Sequence, residues 1–357
     1  MDAFEGVCQR LSGEPRRWLV TGVAGFIGSH LLEALLDLDQ EVVGLDNFAT
    51  GSRANLDDVL GRVGPERAQR FEFIEGDIRD PAHCDRAMQG VKLVLHQAAL
   101  GSVPRSMADP ASTHRTNVDG FVNVLLSAGA ARVERVVFAS SSSVYGDHPG
   151  SPKLESEMGR PLSPYATSKL VDEIYADTLL RTHGIDSVGL RYFNVFGPRQ
   201  DPNGPYAAVI PRWTQQLIAG APCIVYGDGS TSRDFCFVKN VVRANLLAAL
   251  ATREAVTPRI FNIACGDRTT LLELFAGIQR RVAEHAPAAR SIKLQHEPPR
   301  PGDIQHSLAD IGRARSCLGY EPVYDVLRGL DQTISWYARA DRSPRPLPAA
   351  PELRDMS

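Results

Sequence analysis

Tyr165 and Lys169 stand four residues apart in Ser163-Pro164-Tyr165-Ala166-Thr167-Ser168-Lys169, a segment whose Ser-Pro start reads as the opening of a helix. That spacing puts both side chains on one helical face. A tyrosine hydroxyl titrates near about 10 and is a poor base at neutral pH. A neighbouring ammonium favours the phenolate and brings that value down. The pair can then take the proton of a substrate hydroxyl while the carbon beneath it gives up hydride. Many chains carry Tyr and Lys at this spacing on an ordinary surface helix, so the pair needs company. It finds it in the serine run Ser140, Ser141, Ser142 and Ser143, which directly follows the apolar Val136-Val137-Phe138-Ala139. A hydroxyl at such a strand end can hydrogen-bond a substrate oxygen and relay its proton.

Hydride needs an acceptor, and the N-terminal part of the chain supplies a place for one. Thr21-Gly22-Val23-Ala24-Gly25-Phe26-Ile27-Gly28 lies between the strand candidate Arg17–Val20 and a helical stretch, Phe26–Leu38. Gly22 permits a tight turn, Gly25 lets backbone N–H groups approach a pyrophosphate, and Gly28 lets the helix pack close to the sheet. Free N–H groups and the dipole at the helix start favour the diphosphate. The spacing is G-x-x-G-x-x-G rather than the commoner G-x-G-x-x-G. Asp46 ends the next strand, Glu41–Asp46, near the offset where a carboxylate binds the adenosine ribose. It would repel a 2′-phosphate, and no arginine follows until Arg53, so NAD is expected rather than NADP. Gly76-Asp77-Ile78 could hold the adenine, or Asp77 could simply cap the next helix. The positive nicotinamide ring would assist Lys169 in stabilising the phenolate.

The elements around these motifs alternate. Further strands are expected at Phe71–Ile74, Leu93–His96, Val136–Ala139 and Ser187–Tyr192, with helices between them, notably Asn117–Ala128 and Pro164–Arg181. Strand–helix alternation implies βαβ units and a parallel sheet, and continuous apolar strands fit a sheet covered on both faces. After Asn194 glycines and prolines break the pattern, and shorter helices are expected at Val209–Ala219, Val238–Leu250, Leu271–Val282 and Val326–Tyr337. The fold expected is α/β: a Rossmann doubly wound parallel sheet over residues 16–194, with a smaller mixed α/β substrate lobe over 195–340. Chain exchange between the lobes is left open. Residues 1–15 form an N-terminal extension, and the Pro- and Arg-rich 341–357 are expected to be a disordered tail.

Composition excludes several partners. A net charge of −3 does not suggest nucleic acid or an anionic membrane. No apolar run approaches the roughly 20 residues that span a bilayer, and the N-terminus lacks a secretory signal. Cys8, Cys84, Cys223, Cys236, Cys265 and Cys317 form no C-x-x-C pair and have no histidine at metal spacing. Reduced thiols, a cytoplasmic location and no metal site are expected.

With these motifs in hand, the chain resembles the extended short-chain dehydrogenase/reductase family over about residues 16–337. The resemblance rests on the glycine turn, Leu45-Asp46-Asn47, His96-Gln97-Ala98-Ala99, Asn117, Ser140–Gly146, Tyr165-x-x-x-Lys169 and Arg191–Pro198. Within it the chain is most similar to the bacterial UDP-N-acetylglucosamine 4-epimerases of surface polysaccharide synthesis, including Ala99–Ser106 and Gly146–Gly150. The resemblance implies Ser141 as the catalytic hydroxyl, with Ser142 and Ser143 facing the sugar. It implies cofactor contacts from Phe26, Ile27, Asn47, Phe48, Thr50 and Gly51. Further cofactor contacts would come from Ile78, Gln97, Ala98, Ala99, Thr116 and Tyr192. Gly101, Ser102, Val103, Asn194, Val209 and Trp213 would line the substrate site. Arg233 and Arg300 would hold the UDP phosphates, as forked donors suit anionic oxygens; Asp303 would take the uridine ribose and Tyr226 would pack near the uracil. Ser307 stands where strict UDP-galactose enzymes carry a bulky Tyr, and a small residue there leaves room for an acetamido group. The bland alternative is a neutral variation at the start of a helix through Leu308-Ala309-Asp310.

The dehydratases of this family place an Asp-Glu pair in the serine-run segment, and the UDP-glucuronate decarboxylases an acid. Here it holds serines, so epimerisation is expected. Tyr165 would take the C4 hydroxyl proton as hydride passes to NAD; the 4-keto sugar would turn and receive hydride on its other face. The competing readings are a UDP-glucuronate or UDP-N-acetylgalactosaminuronate 4-epimerase, which would need a cation for the C6 carboxylate, and a non-catalytic NAD-binding regulator. Likeness also implies a homodimer built on the Asn117 and Tyr165 helices. Val122, Leu125, Leu126, Ile174 and Leu179 fit either that interface or the core.

Overall fold

The computed structural model describes residues 2–203, 207–299 and 305–339. Six strands form where aliphatic and β-branched residues run together: β1 (Arg17–Thr21), β2 (Glu41–Asp46), β3 (Phe71–Glu75), β4 (Leu93–His96), β5 (Arg135–Ser141) and β6 (Ser187–Tyr192). A seventh, β7 (Ile260–Ile263), comes from the C-terminal half. All pair in parallel, in the order β3-β2-β1-β4-β5-β6-β7. β4 and β6 are buried along their whole length, as expected for a sheet covered on both faces. The order reverses between β1 and β4, and a crevice opens beyond their carboxyl ends, where such sheets bind ligands.

The helices cover the two faces. α1 (Ala3–Gly13) begins with a reciprocal Asp2–Glu5 capping box. It was not expected from the sequence. Its Arg10 Nη2 donates to the Leu250 carbonyl at 3.0 Å, and the Leu11 carbonyl accepts from Gln40 at 2.9 Å. α2 (Phe26–Asp37) buries Leu31, Leu32, Leu35 and Leu36 against the same face. α3 (Gly120–Ala130) is preceded by a π-helical turn, Arg115–Asp119, so the helix expected from Asn117 is present with its first residues in that turn. α4 (Pro164–His183) starts on Ser163, whose hydroxyl accepts from Ala166 N, and ends on left-handed Gly184.

The remaining helices are α5 (Val209–Ile218), α6 (Val238–Leu250), α7 (Leu271–His285) and α8 (Val326–Arg339). α6 is buried along almost its whole length and packs on α1, α2, β5 and β6. The large sheet is therefore completed, and one face covered, by residues beyond Asn194. The smaller lobe has its own core of Phe196, Trp213, Phe235, Phe237 and Phe275. It contains two-strand ladders, among them Cys223–Tyr226 with Leu294–Glu297 and Ser232–Arg233 with Thr269–Thr270.

Ser307 does not start a helix. It lies in an extended segment, donating its N–H to the Ser232 carbonyl at 3.1 Å, between bridges His306–Ser232 and Ala309–Lys153. The sequence 341–357 lies outside the described residues. Among the described residues no helix is long and apolar enough to cross a membrane.

Candidate active site

A cleft of about 700 Å³ runs along the carboxyl ends of the strands. At its floor the glycine turn is fixed by close backbone approach. Gly22 has φ +68°, and a Cβ there would sit 2.7 Å from the Ala98 nitrogen. A Cβ on Gly28 would lie 2.0 Å from the Gly22 carbonyl oxygen, a separation no side chain tolerates. The turn leaves a cradle of backbone at the start of α2, with Gly22, Gly25, Phe26, Ile27 and Gly28 all lining the cleft. This is the shape and polarity a diphosphate requires.

Asp46 sits beside the turn, 8% exposed. It accepts from Ala24 N at 2.9 Å and Phe48 N at 2.7 Å, tying the end of β2 to the glycine turn. Burial raises its carboxyl above the usual range, against these two bonds. Lone pairs remain for a ribose. Asn47 Nδ2 donates to Asp77 at 2.7 Å, and the bond from Arg79 holds the Asp77 carboxyl down at about 2. Arg53, the nearest arginine after Asp46, lies 4.7 Å over the Phe48 ring and pairs with Glu75 at 3.4 Å.

Beneath the other end of the cofactor region, Tyr192, Gln97 and Asn245 close a buried triangle: Tyr192 OH donates to Gln97 Oε1 at 3.2 Å and accepts from Asn245 Nδ2 at 2.9 Å. His96 pairs with Thr21 Oγ1 at 2.8 Å, and burial drives its ring down to about 3, so it is neutral. The π-helical turn places Asn117 to receive Leu100 N at 2.8 Å and to donate to Ser168 Oγ at 3.0 Å. It thereby ties the loop after β4 to the helix that carries Tyr165.

Tyr165, Lys169, Ser141, Ser142 and Ser143 all face this cleft. The serine run divides by strand alternation. Ser140 turns inward, donating to Glu173 at 2.5 Å, and Glu173 is paired with Arg191 at 2.7 Å. Ser141 ends the strand, and its Oγ accepts from Ser143 N at 3.1 Å. Asn47, Thr50, Ile78, Ala98, Ala99, Gly101, Ser102, Thr116 and Asn194 share the same walls.

A smaller cavity of about 280 Å³ adjoins it through Asn194. Val209, Trp213, Tyr226 and Arg233 line it, four residues from three separate segments of the second lobe. Trp213 is 1% exposed and donates to the Ile224 carbonyl at 3.1 Å, so it is a wall of the lobe's core more than a contact surface. Asp234, buried beside Arg233, accepts from Cys265 N (2.9 Å), Gly266 N (3.0 Å) and Ala309 N (3.3 Å). Burial lifts its carboxyl to about 6.

Four expected residues line neither cavity, Ser307 among them. Phe48 packs on Phe73 at 5.3 Å, under Arg53. Gly51 packs on the glycine turn, where a Cβ would meet Ala24 at 2.8 Å. Val103 is 41% exposed on a short helix after Ser102. Arg300 and Asp303 lie outside the described residues. Arg105 and Asp201, which the sequence reading passed over, line the cleft.

The chain belongs to the NAD dependent epimerase/dehydratase family, whose model matches residues 18–264, and NAD is its cofactor. The UDP-glucose 4-epimerase of Mycolicibacterium smegmatis is 37% identical over 90% of this chain and 98% of its own length. A UDP-N-acetylglucosamine 4-epimerase from Methanobrevibacter ruminantium, solved with UDP-N-acetylmuramic acid, is 36% identical with a TM-score of 0.81, covering 91% of this chain and 98% of its own. The UDP-glucuronic acid 4-epimerase of Bacillus cereus, solved with UDP-glucuronic acid and NAD, is 29% identical, TM-score 0.78, over 90% and 98% of the two chains. All three are nucleotide-sugar 4-epimerases with different sugars.

Proposed function

We propose that this nucleotide-sugar 4-epimerase interconverts UDP-N-acetylglucosamine and UDP-N-acetylgalactosamine. The observation that carries the reaction type is the cleft wall at Ser141–Ser143. It faces the same space as Tyr165 and Lys169 and offers hydroxyls where an elimination needs acids. NAD, when bound, accepts hydride at C4 and returns it. Tyr165 removes and restores the C4 hydroxyl proton, Lys169 stabilises the phenolate, and Ser141 holds the C4 oxygen. Arg233 and Arg300 hold the diphosphate while the sugar turns about it.

Support for the acetylated sugar comes from Ser307. Its extended segment pairs with Ser232, beside Arg233, so this small side chain is carried next to the strand that lines the smaller cavity, though not in that lining itself. Incubating the purified enzyme with UDP-N-acetylglucosamine should give the galacto epimer; no interconversion overturns the proposal. Ser307→Tyr should weaken turnover of the acetylated sugars far more than that of UDP-glucose, and equal losses would remove Ser307 from the argument.

One observation favours the uronate reading enough to name it. Arg105 lines the cleft and is a cation available to a C6 carboxylate. Arg79 is paired with Asp77 and Lys169 with Asp172. Under the N-acetyl reading, Arg105→Ala keeps turnover of neutral sugars and no uronate is a good substrate.

The homodimer belongs to the same proposal. Leu125 and Leu179 are buried in the core, whereas Leu126 (46%), Ile174 (57%) and Tyr175 (41%) are exposed on α3 and α4. These exposed residues are the ones a partner copy would cover.

A further inference from the structure

Lys169 Nζ lies 3.1 Å from Oδ2 of Asp172, with side-chain exposures of 3% and 0%. The other carboxylate oxygen, Oδ1, is buried and has no hydrogen-bond partner. Tyr165, Lys169 and Asp172 occupy positions i, i+4 and i+7 of α4, so the three share one face with the lysine in the middle. The chemistry described so far uses the first two only. An i,i+3 ion pair on an exposed helix is worth little. Burying a carboxylate beside an ammonium carries a desolvation cost that the pairing returns only in part. A half-satisfied buried carboxylate next to the catalytic lysine is thus poorly explained as a structural device.

We propose that Asp172 is a positioning residue of the reaction, holding the Lys169 ammonium from one turn further along the helix and so setting how strongly that ammonium acts on the Tyr165 phenol. A charged Asp172 offsets part of the ammonium's field, and a neutral Asp172 leaves it whole. The other charged groups around the pair are accounted for. Glu173 is taken up by Arg191 and Ser140, Arg191 stacks 4.8 Å over Tyr145, and His96 is neutral. Burial, with a further push from Glu173, lifts the Asp172 carboxyl to about 7 against the pull of Lys169. The charge on Asp172 thus reaches the Tyr165 phenol through the ammonium between them.

The inference rests on the family's tyrosine chemistry but not on which sugar is used, and its first test needs no sugar. The phenolate absorbance of the holoenzyme is titrated with pH, each form read against its Tyr165→Phe counterpart. The wild type should titrate over a broader range than one proton allows. Asp172→Asn, which keeps the shape and removes the charge, should narrow the curve and move it to lower pH by about half a unit or more. The acidic limb of kcat on the preferred nucleotide sugar should move with it, while KM stays within about twofold. Asp172→Ala removes tether and charge together and should give the same displacement with a lower kcat at every pH; it also serves if the Asn variant folds poorly. Superimposable titrations of wild type and both variants overturn the proposal. So does a uniform loss of kcat with no displacement.

Discussion

The two halves of the cleft are built by different means. The cofactor half is mostly backbone: Gly22 and Gly28 at separations that leave no room for a Cβ, Gly25 at a tight one, with Asp46 locking the turn to β2. The half proposed for the nucleotide sugar is side chains, Val209, Tyr226 and Arg233 brought from separate segments of the second lobe and braced by one buried carboxylate, Asp234. Backbone geometry is an all-or-none property of a short stretch. A side-chain site can be altered one contact at a time, which suits a family whose members share a cofactor and differ in sugar.

That contrast sets the order of expected effects. Gly28→Val drives a side chain into the Gly22 carbonyl and should cost more than about 3 kcal/mol through backbone displacement. It should show as loss of bound NAD and a collapse in thermal stability; a folded, NAD-loaded variant would break the contrast. Asp234→Ala leaves three N–H groups without an acceptor and should cost about 3 kcal/mol in denaturant unfolding. If the halves are built independently, KM for the nucleotide sugar rises while NAD content is kept, and equal loss of both would show that the brace serves the whole molecule.

The smallest effect comes from acid. The folded-state value of Asp77 lies below its unfolded one, so its contribution to stability is complete above about pH 4 and is lost as pH falls through about 2. It is partly exposed, so the gain is modest. Asp77→Asn should flatten the acid limb of the unfolding curve over that window, lowering stability modestly above about pH 4 and converging with the wild type below about pH 2.

The same contrast explains what was legible in the sequence. The glycine turn, β1–β6 and the Tyr165 helix could be read because each rests on local spacing. The helix considered after Ser307 is absent: Leu308-Ala309-Asp310 looks helical alone, and only pairing with Ser232 and Lys153 makes it extended. Ile260–Ile263 is four residues long, and nothing local says which sheet it joins. Asp172 stayed silent because an acid three residues after a lysine is the commonest of surface patterns, and only its burial distinguishes it. The capping box of α1 is present as Asp2 and Glu5, but its docking against Gln40 and Leu250 is a long-range fact.

β7 gives the molecule an order in time. The edge of β6 stays unpaired until residue 263 has left the ribosome, and by then Arg233, Tyr226 and α6 have been made. A nascent chain holding every glycine of the cofactor turn still lacks the sheet edge and the helix that cover it. Such an open edge pairs readily with other strands, so a growing chain carries an exposed pairing edge until about half of the second lobe has emerged.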